Sequence, residues 1–206
     1  MSVGVKSMER VHAVQQVYRQ VLDAMSRPGK IVQIEAPSFV RREAADAYIV
    51  ALGMMLLDQS VSYEVIGDMS LAEQLQLYTL SRRQELQACD YVFLTTTDAA
   101  AQASVDIASC KRGTFTFPDE SATIICRVHE LGAGSEGRKG SVKLTMRGPG
   151  IAEEQQLSID GLAGSLVSGW QASNAEFPLG IDWIFVDEMG RVACVPRSTK
   201  FSWEVA

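Results

Sequence analysis

The chain has few of the residues that usually announce chemistry. Among 206 residues there are only two histidines, His12 and His129, and four cysteines, none in a CxxC pair. A structural zinc site needs closely spaced Cys or His pairs, so that class is excluded. Cys89, Cys110, Cys126 and Cys194 read instead as reduced thiols, which agrees with a cytoplasmic address. Long apolar runs are also missing. The longest, Tyr48–Leu57, is about half the ~20 residues of a spanning helix, so no membrane segment is expected. The amino-terminal stretch MSVGVKSMERVHAV lacks the apolar core and small-residue cleavage site of a signal peptide. Basic residues are outnumbered, 19 against 25 acidic ones, giving a net charge of −6. That balance excludes a general nucleic-acid binder, which needs a basic stripe, and leaves room only for a small basic pocket. There is no GxSxG, and no Ser, Cys or carboxylate stands at a recognisable nucleophile spacing. The acidic pairs Glu153-Glu154 and Asp187-Glu188 lie beside turns and read as solvated charges, so neither catalytic nor metal-binding residues are assigned.

What is present suits one globular domain over residues 1–206. Hydrophobic residues make up 47% of the chain, enough for a sizeable core without staples. Apolar residues from Met8 to Met25 recur at helical spacing, with Ser7 as N-cap and Arg27-Pro28-Gly29 as terminator. Lys30–Glu35 alternates as a short strand, and Arg42–Leu57 is a second helix. Ser62–Ile66 is a strand, followed by a helix opened by a Ser70/Glu73 capping box. Asp90–Thr95 is nearly continuous in apolar residues, as a strand covered on both faces should be. Thr97 or Asp98 caps a small-residue helix through Ile107. Ala122–Leu131 and Ser141–Met146 read as strands joined by a glycine-rich hairpin loop. Gln156–Ile159 is a short strand, Leu162–Ser173 a helix, and Asp182–Val186 with Arg191–Val195 a β-hairpin. The order implies a layered α/β domain with a mixed sheet.

Three features need weighing. Gly132–Gly137 spells GxGxxG, but a strand and not a helix follows it, so no helix N-terminus awaits a pyrophosphate. Arg147-Gly148-Pro149-Gly150 is either a rigid corner or a turn whose exposed amides, beside a cation, could hold an anion. The six lysines, Lys6, Lys30, Lys111, Lys139, Lys143 and Lys200, carry no partner motif for a pyridoxal-phosphate Schiff base, and no cofactor is expected.

Five segments taken in order carry more than any one of them: VYRQVLDAMSRPGKI, GTFTFPDESATIICRV, LTMRGPGI, FPLGIDWIFV and VPRST. Together they resemble the H subunit of the bacterial carbon–phosphorus lyase system, the PhnH family, from about Val17 to Thr199. One departure is Pro196-Arg197-Ser198-Thr199, where the family pattern ends in two threonines. The resemblance implies a three-layer α/β/α fold similar to pyridoxal-phosphate-dependent transferases, without the cofactor lysine and without the cofactor. It implies a homodimer that joins the G, I and J subunits. With G, I and L it would support transfer of a phosphonate onto the ribose of a nucleoside triphosphate, giving alpha-D-ribose 1-methylphosphonate 5-triphosphate. No catalytic residue carries over. Arginine beside exposed amides suits phosphate or phosphonate oxygens, so Arg27, Gly29, Arg147, Gly148, Gly150 and Arg197 are the expected ligand-binding residues for a nucleotide or phosphonate. The alternatives are arginines that merely pair with acids, a scaffold homodimer without ligand, and a stand-alone pyridoxal-phosphate-type transferase.

Overall fold

Strict alternation of side chains along the central strands gives the molecule two separate cores. In a computed structural model, which describes residues 3–40, 44–134 and 137–206, the elements run in this order. They are α1 (Val3–Ser26), β1 (Val32–Gln33), α2 (Ala44–Leu56), β2 (Ser62–Ile66), α3 (Met69–Thr79), β3 (Arg82–Arg83), β4 (Tyr91–Leu94) and α4 (Ala99–Ala103). A 3-10 turn (Ile107–Ser109) follows, then β5 (Thr123–Arg127), β6 (Glu130–Ala133), β7 (Val142–Arg147), β8 (Gln155–Asp160), α5 (Gly164–Ser173), β9 (Asp182–Val186), β10 (Arg191–Val195) and β11 (Lys200–Val205). Seven strands form one sheet in the order β1-β10-β9-β5-β4-β2-β3. The run from β9 to β3 is parallel, and β10 and β1 are antiparallel additions. The sheet is therefore mixed and the class α/β.

Phe93, Ile125, Ile184 and Val192 point to one face, where they meet Val17 and Val21 of α1, Ile49 and Leu52 of α2, and Leu71 and Leu75 of α3. Their neighbours Val92, Ile124, Trp183, Phe185 and Ala193 point to the other. Successive strand residues face opposite sides, so runs such as Trp183-Ile184-Phe185-Val186 fill both cores at once. The second face is covered in part by helix, through Leu166, Val167 and Trp170 of α5. The rest is covered by a four-stranded antiparallel sheet in the order β11-β7-β8-β6, through Leu144, Met146, Leu157 and Ile159. The third layer is thus part helix and part sheet. Trp170 packs at a tilt against Trp183, Phe185 and Phe201, with ring centroids 5.0, 5.8 and 4.3 Å apart.

Several local expectations change. The stretch read as one strand from Ala122 to Leu131 breaks at Val128-His129. The Val128 amide still bonds Val186, but the His129 amide bonds Asp160 of the other sheet. One chain segment therefore serves two sheets. β6 and β7 do not pair, because β8 lies between them. The glycine-rich segment joining them is a crossing, not a hairpin loop, and its Ser135 and Glu136 lie outside the described residues. Arg42 and Glu43, expected to begin the second helix, also lie outside them. α1 starts at Val3, ahead of Ser7, so Ser7 is not its cap. Asp68, not Ser70, caps α3, accepting from the Ser70 amide at 2.8 Å. α4 has the expected Asp98 cap but ends at Ala103, where Ser104 begins a tighter turn. β11 pairs with β7 over six residues and closes the second sheet; no strand was expected there. No helix of the described residues is long and apolar enough to cross a membrane.

Candidate functional site

The three segments singled out for arginine meet at one place. α1 ends in a turn in which the Lys30 amide bonds Arg27 O at 2.9 Å, with Pro28 and Gly29 in the middle and Gly29 at φ +80°. β7 ends in a second turn of the same kind. The Ile151 amide bonds Gly148 O at 3.1 Å around Pro149 and Gly150, and Gly150 has φ +83°. Proline followed by a positive-φ glycine is the type II turn signature. The turns pack on each other so closely that a Cβ on Gly150 would sit 2.3 Å from Ser26 O. The Pro196–Thr199 turn packs on the other side, and a Cβ on Gly148 would lie 3.1 Å from Ser198 O. The Gly29 amide donates to Cys194 O at 3.1 Å, which fixes this corner to the end of β10.

Two depressions border the corner. A cleft of about 660 Å³ is lined by Arg27, Gly29, Lys30, Gly150, Glu153 and Glu154. A groove of about 520 Å³ is lined by Pro149, Asn174, Phe177, Arg197, Thr199 and Phe201. Arg27, Gly29 and Gly150 thus share one opening, while Arg197 belongs to the other. Each arginine already has a carboxylate. Arg27 pairs with Asp23 one turn back along α1. Arg147, with its side chain 73% exposed, reaches Glu154 Oε2 through Nη2 at 2.8 Å and Nε at 3.2 Å. Arg197 is more deeply held: its Nη2 bonds Asp182 Oδ2 at 2.6 Å, and its Nε and backbone amide bond Asp182 Oδ1 at 3.2 and 2.7 Å. Its Nη1 donates to Pro118 O. Within the corner, the Lys30 and Ile151 amides are spent on the two turns and the Gly29 amide on Cys194 O, and Glu153 and Glu154 line the same cleft as Arg27 and Lys30. Lys30 itself bonds Asp23 at 2.7 Å.

The corner lies at the end of the sheet where β9 begins. At the other end, beyond the carboxyl ends of β5 and β9, is a charged cluster that sequence reading misjudged. Asp187, read as solvated, is buried. It accepts from the Met189 and Arg191 amides, both at 2.9 Å, from the Leu131 amide at 3.2 Å and from Arg191 Nε at 2.6 Å. Arg191 reaches on to Glu130 at 3.3 Å, and Arg138 bridges Glu130 at 3.0 Å and Asp160 at 3.7 Å. Burial opposes the charge of Arg191, but its bonds to Asp187 and Glu130 outweigh this and raise its pKa. His129 Nδ1 lies 3.3 Å from Glu188, which is exposed as expected. The signal for Asp187 was an Asp three residues before a glycine in a hairpin, a position that caps its own turn. His12 lies on the outer side of α1 and lines neither opening at the corner.

The four cysteines are free and buried. Burial pushes the Cys89 thiol up to about 11 and the Cys110 thiol up to about 12, and raises Cys126 and Cys194 as well.

Comparison with known proteins gives the arrangement a context. The model of the bacterial phosphonate metabolism protein (PhnH) family matches residues 6–202. The chain is 29% identical over 197 residues to the alpha-D-ribose 1-methylphosphonate 5-triphosphate synthase subunit PhnH of Rhizobium meliloti (strain 1021), covering 94% of this chain and 92% of that one. It is 27% identical over 192 residues to a protein of Stutzerimonas stutzeri named as a putative C-P lyase subunit, HtxG, covering 91% and 85%. All five segments that carried the resemblance fall inside the matched span, and the chain belongs to the bacterial phosphonate metabolism protein (PhnH) family.

Proposed function

We propose that this chain is an accessory subunit of a carbon–phosphorus lyase assembly in phosphonate catabolism. In this reading it supports formation of alpha-D-ribose 1-methylphosphonate 5-triphosphate from a nucleoside triphosphate and a phosphonate, and is not catalytic alone. The observation that carries it is the family match over residues 6–202, joined to the names of two relatives aligned over most of their own length. Its partners would be a second copy of itself and the G, I, J and L subunits, in the cytoplasm. The frame would be a transferase-like fold of the pyridoxal-phosphate class that works without the cofactor. Arg27, Gly29, Arg147, Gly148, Gly150 and Arg197 would border a site for the nucleotide or phosphonate. The exposed pairs Arg27–Asp23 and Arg147–Glu154 support this, because surface ion pairs are weak enough for a phosphate or phosphonate to exchange into.

Purification of the tagged chain from phosphate-starved cells tests the assignment. Other subunits of the assembly should accompany it, and a solitary protein counts against the reading. Titrating nucleoside triphosphate and methylphosphonate against the assembled complex, with and without Arg147→Ala, tests the site; unchanged affinity removes it. A scaffold that binds no ligand is a second reading, favoured by the carboxylate partner of each arginine. It predicts a normal complex with no heat of binding for either ligand at this subunit.

A further inference from the structure

Phenylalanine belongs in a core when there is one to fill, yet three of the seven in this chain stand in solvent. Phe115, Phe117 and Phe177 are 72%, 54% and 65% exposed. They are not scattered. Phe115 and Phe117 lie on the loop between the 3-10 turn and β5, and Phe177 lies on the segment between α5 and β9. The two segments are joined where the Gly180 amide donates to Arg112 O at 3.0 Å. Arg197 lies against both: its Nη1 donates to Pro118 O, and a Cβ on Gly180 would sit 3.1 Å from the Arg197 Cβ. Clustered apolar exposure of this kind marks an interaction surface.

The loop that carries Phe115 and Phe117 is fixed. The Ala122 amide bonds Lys111 O at 2.8 Å and closes its base. At the tip, the Thr114 amide donates to Phe117 O at 3.0 Å, and the Phe117 amide donates to Thr114 Oγ1 at 2.9 Å. Gly113 permits this with φ +76°, and a Cβ there would lie 2.7 Å from Pro118 O. These ties run through backbone atoms, Thr114 and Arg197, so the loop keeps its shape without its two rings. Side chains presented on a fixed loop bind with little ordering cost.

Charge narrows what can cover this surface. Asp119 and Glu120 follow the loop, Glu176 precedes Phe177, and all three are exposed. Among the described residues none of the three enters an ion pair. Of the nearest cations, Lys111 pairs with Asp90 and Arg197 with Asp182, which leaves Arg112 against three carboxylates. The same surface of a second copy would set these carboxylates against each other, and an anionic lipid surface would repel them. The complement is a different protein, with an apolar pocket ringed by lysine or arginine.

We propose that the Phe115–Phe117 tip, with Phe177 on the adjoining segment, is the anchor by which this chain docks on another subunit of the assembly, seating its rings in an apolar pocket with a basic rim. The inference rests on the subunit reading of the preceding section and gives it a surface. Buried aromatic anchors carry most of the affinity of such contacts, and the acidic rim makes association sensitive to salt.

Binding of the G, I and J subunits to the immobilised full chain tests this, for the unaltered chain, Phe115→Ala, Phe117→Ala, Asp119→Lys joined to Glu120→Lys, and Leu77→Ala. Each phenylalanine change should raise the dissociation constant about tenfold and leave the thermal midpoint in place, because the ring removed is in solvent. The paired lysine exchange should weaken binding at low salt and converge on the parent at high salt. Leu77, 75% exposed on α3, is the control and should bind as the parent does. Unchanged binding in both alanine variants, or an equal loss in Leu77→Ala, overturns the anchor while leaving the subunit reading intact. So does a photo-crosslinker at position 117 that captures only a second copy of the chain. A chain that binds none of the three subunits overturns both.

Discussion

Removing the Arg197 guanidinium should cost the fold more than any ligand. Arg197 makes two side-chain bonds to Asp182 and one to Pro118 O, and its backbone amide bonds Asp182 as well. In Arg197→Ala the amide bond remains, but Asp182 loses both guanidinium contacts, and the 113–118 loop loses its tie to β9. Both side chains are about four-fifths buried, at 19% and 18% exposure. Truncating one member of a fully buried pair costs about 3–5 kcal/mol, mostly by stranding the other charge. A pair with this residual exposure belongs somewhat lower, at about 2–4 kcal/mol. Urea unfolding of Arg197→Ala, Asp182→Ala and the double variant measures both the cost and the coupling. The singles should each lose about 2–4 kcal/mol, and the double should lose much less than their sum. Arg197→Lys should recover little, because an ammonium cannot serve Asp182 and Pro118 in one planar fork. Loss below about 1 kcal/mol in Arg197→Ala, or additive singles, would refute the clamp and return Arg197 to the pool of free anion-binding cations.

Further consequences follow from the same geometry. Gly150→Ala should destabilise by about 2 kcal/mol or more, since it meets Ser26 O and a positive φ together, whereas Gly134→Ala should cost only about 1 kcal/mol because φ alone opposes it; thermal unfolding of the two variants gives the comparison. Burial opposes ionisation of Asp90, but the Lys111 ammonium and the Ser62 hydroxyl and amide outweigh it and hold the carboxyl below its usual range. The folded-state pKa is depressed, so this contribution is present above the unfolded value of about 4 and drains away as pH falls through the folded one. Unfolding free energies measured across that window should be flatter with pH in Asp90→Asn. With Cys89 pushed up to about 11 and Cys110 up to about 12, a thiol reagent at neutral pH should label the native chain slowly and four sites promptly in denaturant; fast native labelling would contradict the burial.

The parts of the fold that could be read from sequence were those in which a residue's local pattern and its tertiary surroundings agree. Asp182–Val186 and Arg191–Val195 form their antiparallel pair because two apolar runs flank a turn. Tyr91–Leu94 is covered on both faces, as its unbroken apolar run implied. β11 escaped because Lys200–Val205 mixes charge with aromatics, so only its pairing with β7 makes it a strand. The break at Val128-His129 escaped for a different reason. Both halves of Ala122–Leu131 are apolar, and periodicity cannot report that one half joins a second sheet. The corner was half legible. Proline and glycine marked three turns, but nothing local said that Gly150 would lie against Ser26 or that Asp182 would claim Arg197. Asp187 was misread because a charge beside a turn looks solvated until the hairpin closes the Met189 and Arg191 donors onto it and β6 adds the Leu131 amide.

The two ends of the sheet now divide the chemistry between them, and the division bears on where a ligand could act. Open α/β sheets bind ligands beyond the carboxyl ends of their parallel strands. In this chain that end, around Asp187, Arg191, Glu130 and Arg138, is occupied by alternating charges that satisfy one another. The candidate corner lies at the opposite end, on two interlocked type II turns with no room for a Cβ. A rigid corner is poor at closing around a substrate but good at presenting a fixed surface. The exposed arginines there, Arg27 and Arg147, differ from Arg197 in that losing their partners costs the fold little. Arg27→Ala and Arg147→Ala should therefore leave stability within about 0.5 kcal/mol of the parent, while any loss of complex assembly or ligand affinity they cause reports on that surface alone. If both variants unfold as readily as Arg197→Ala, the corner is a structural joint throughout, and the ligand must be held elsewhere in the assembly.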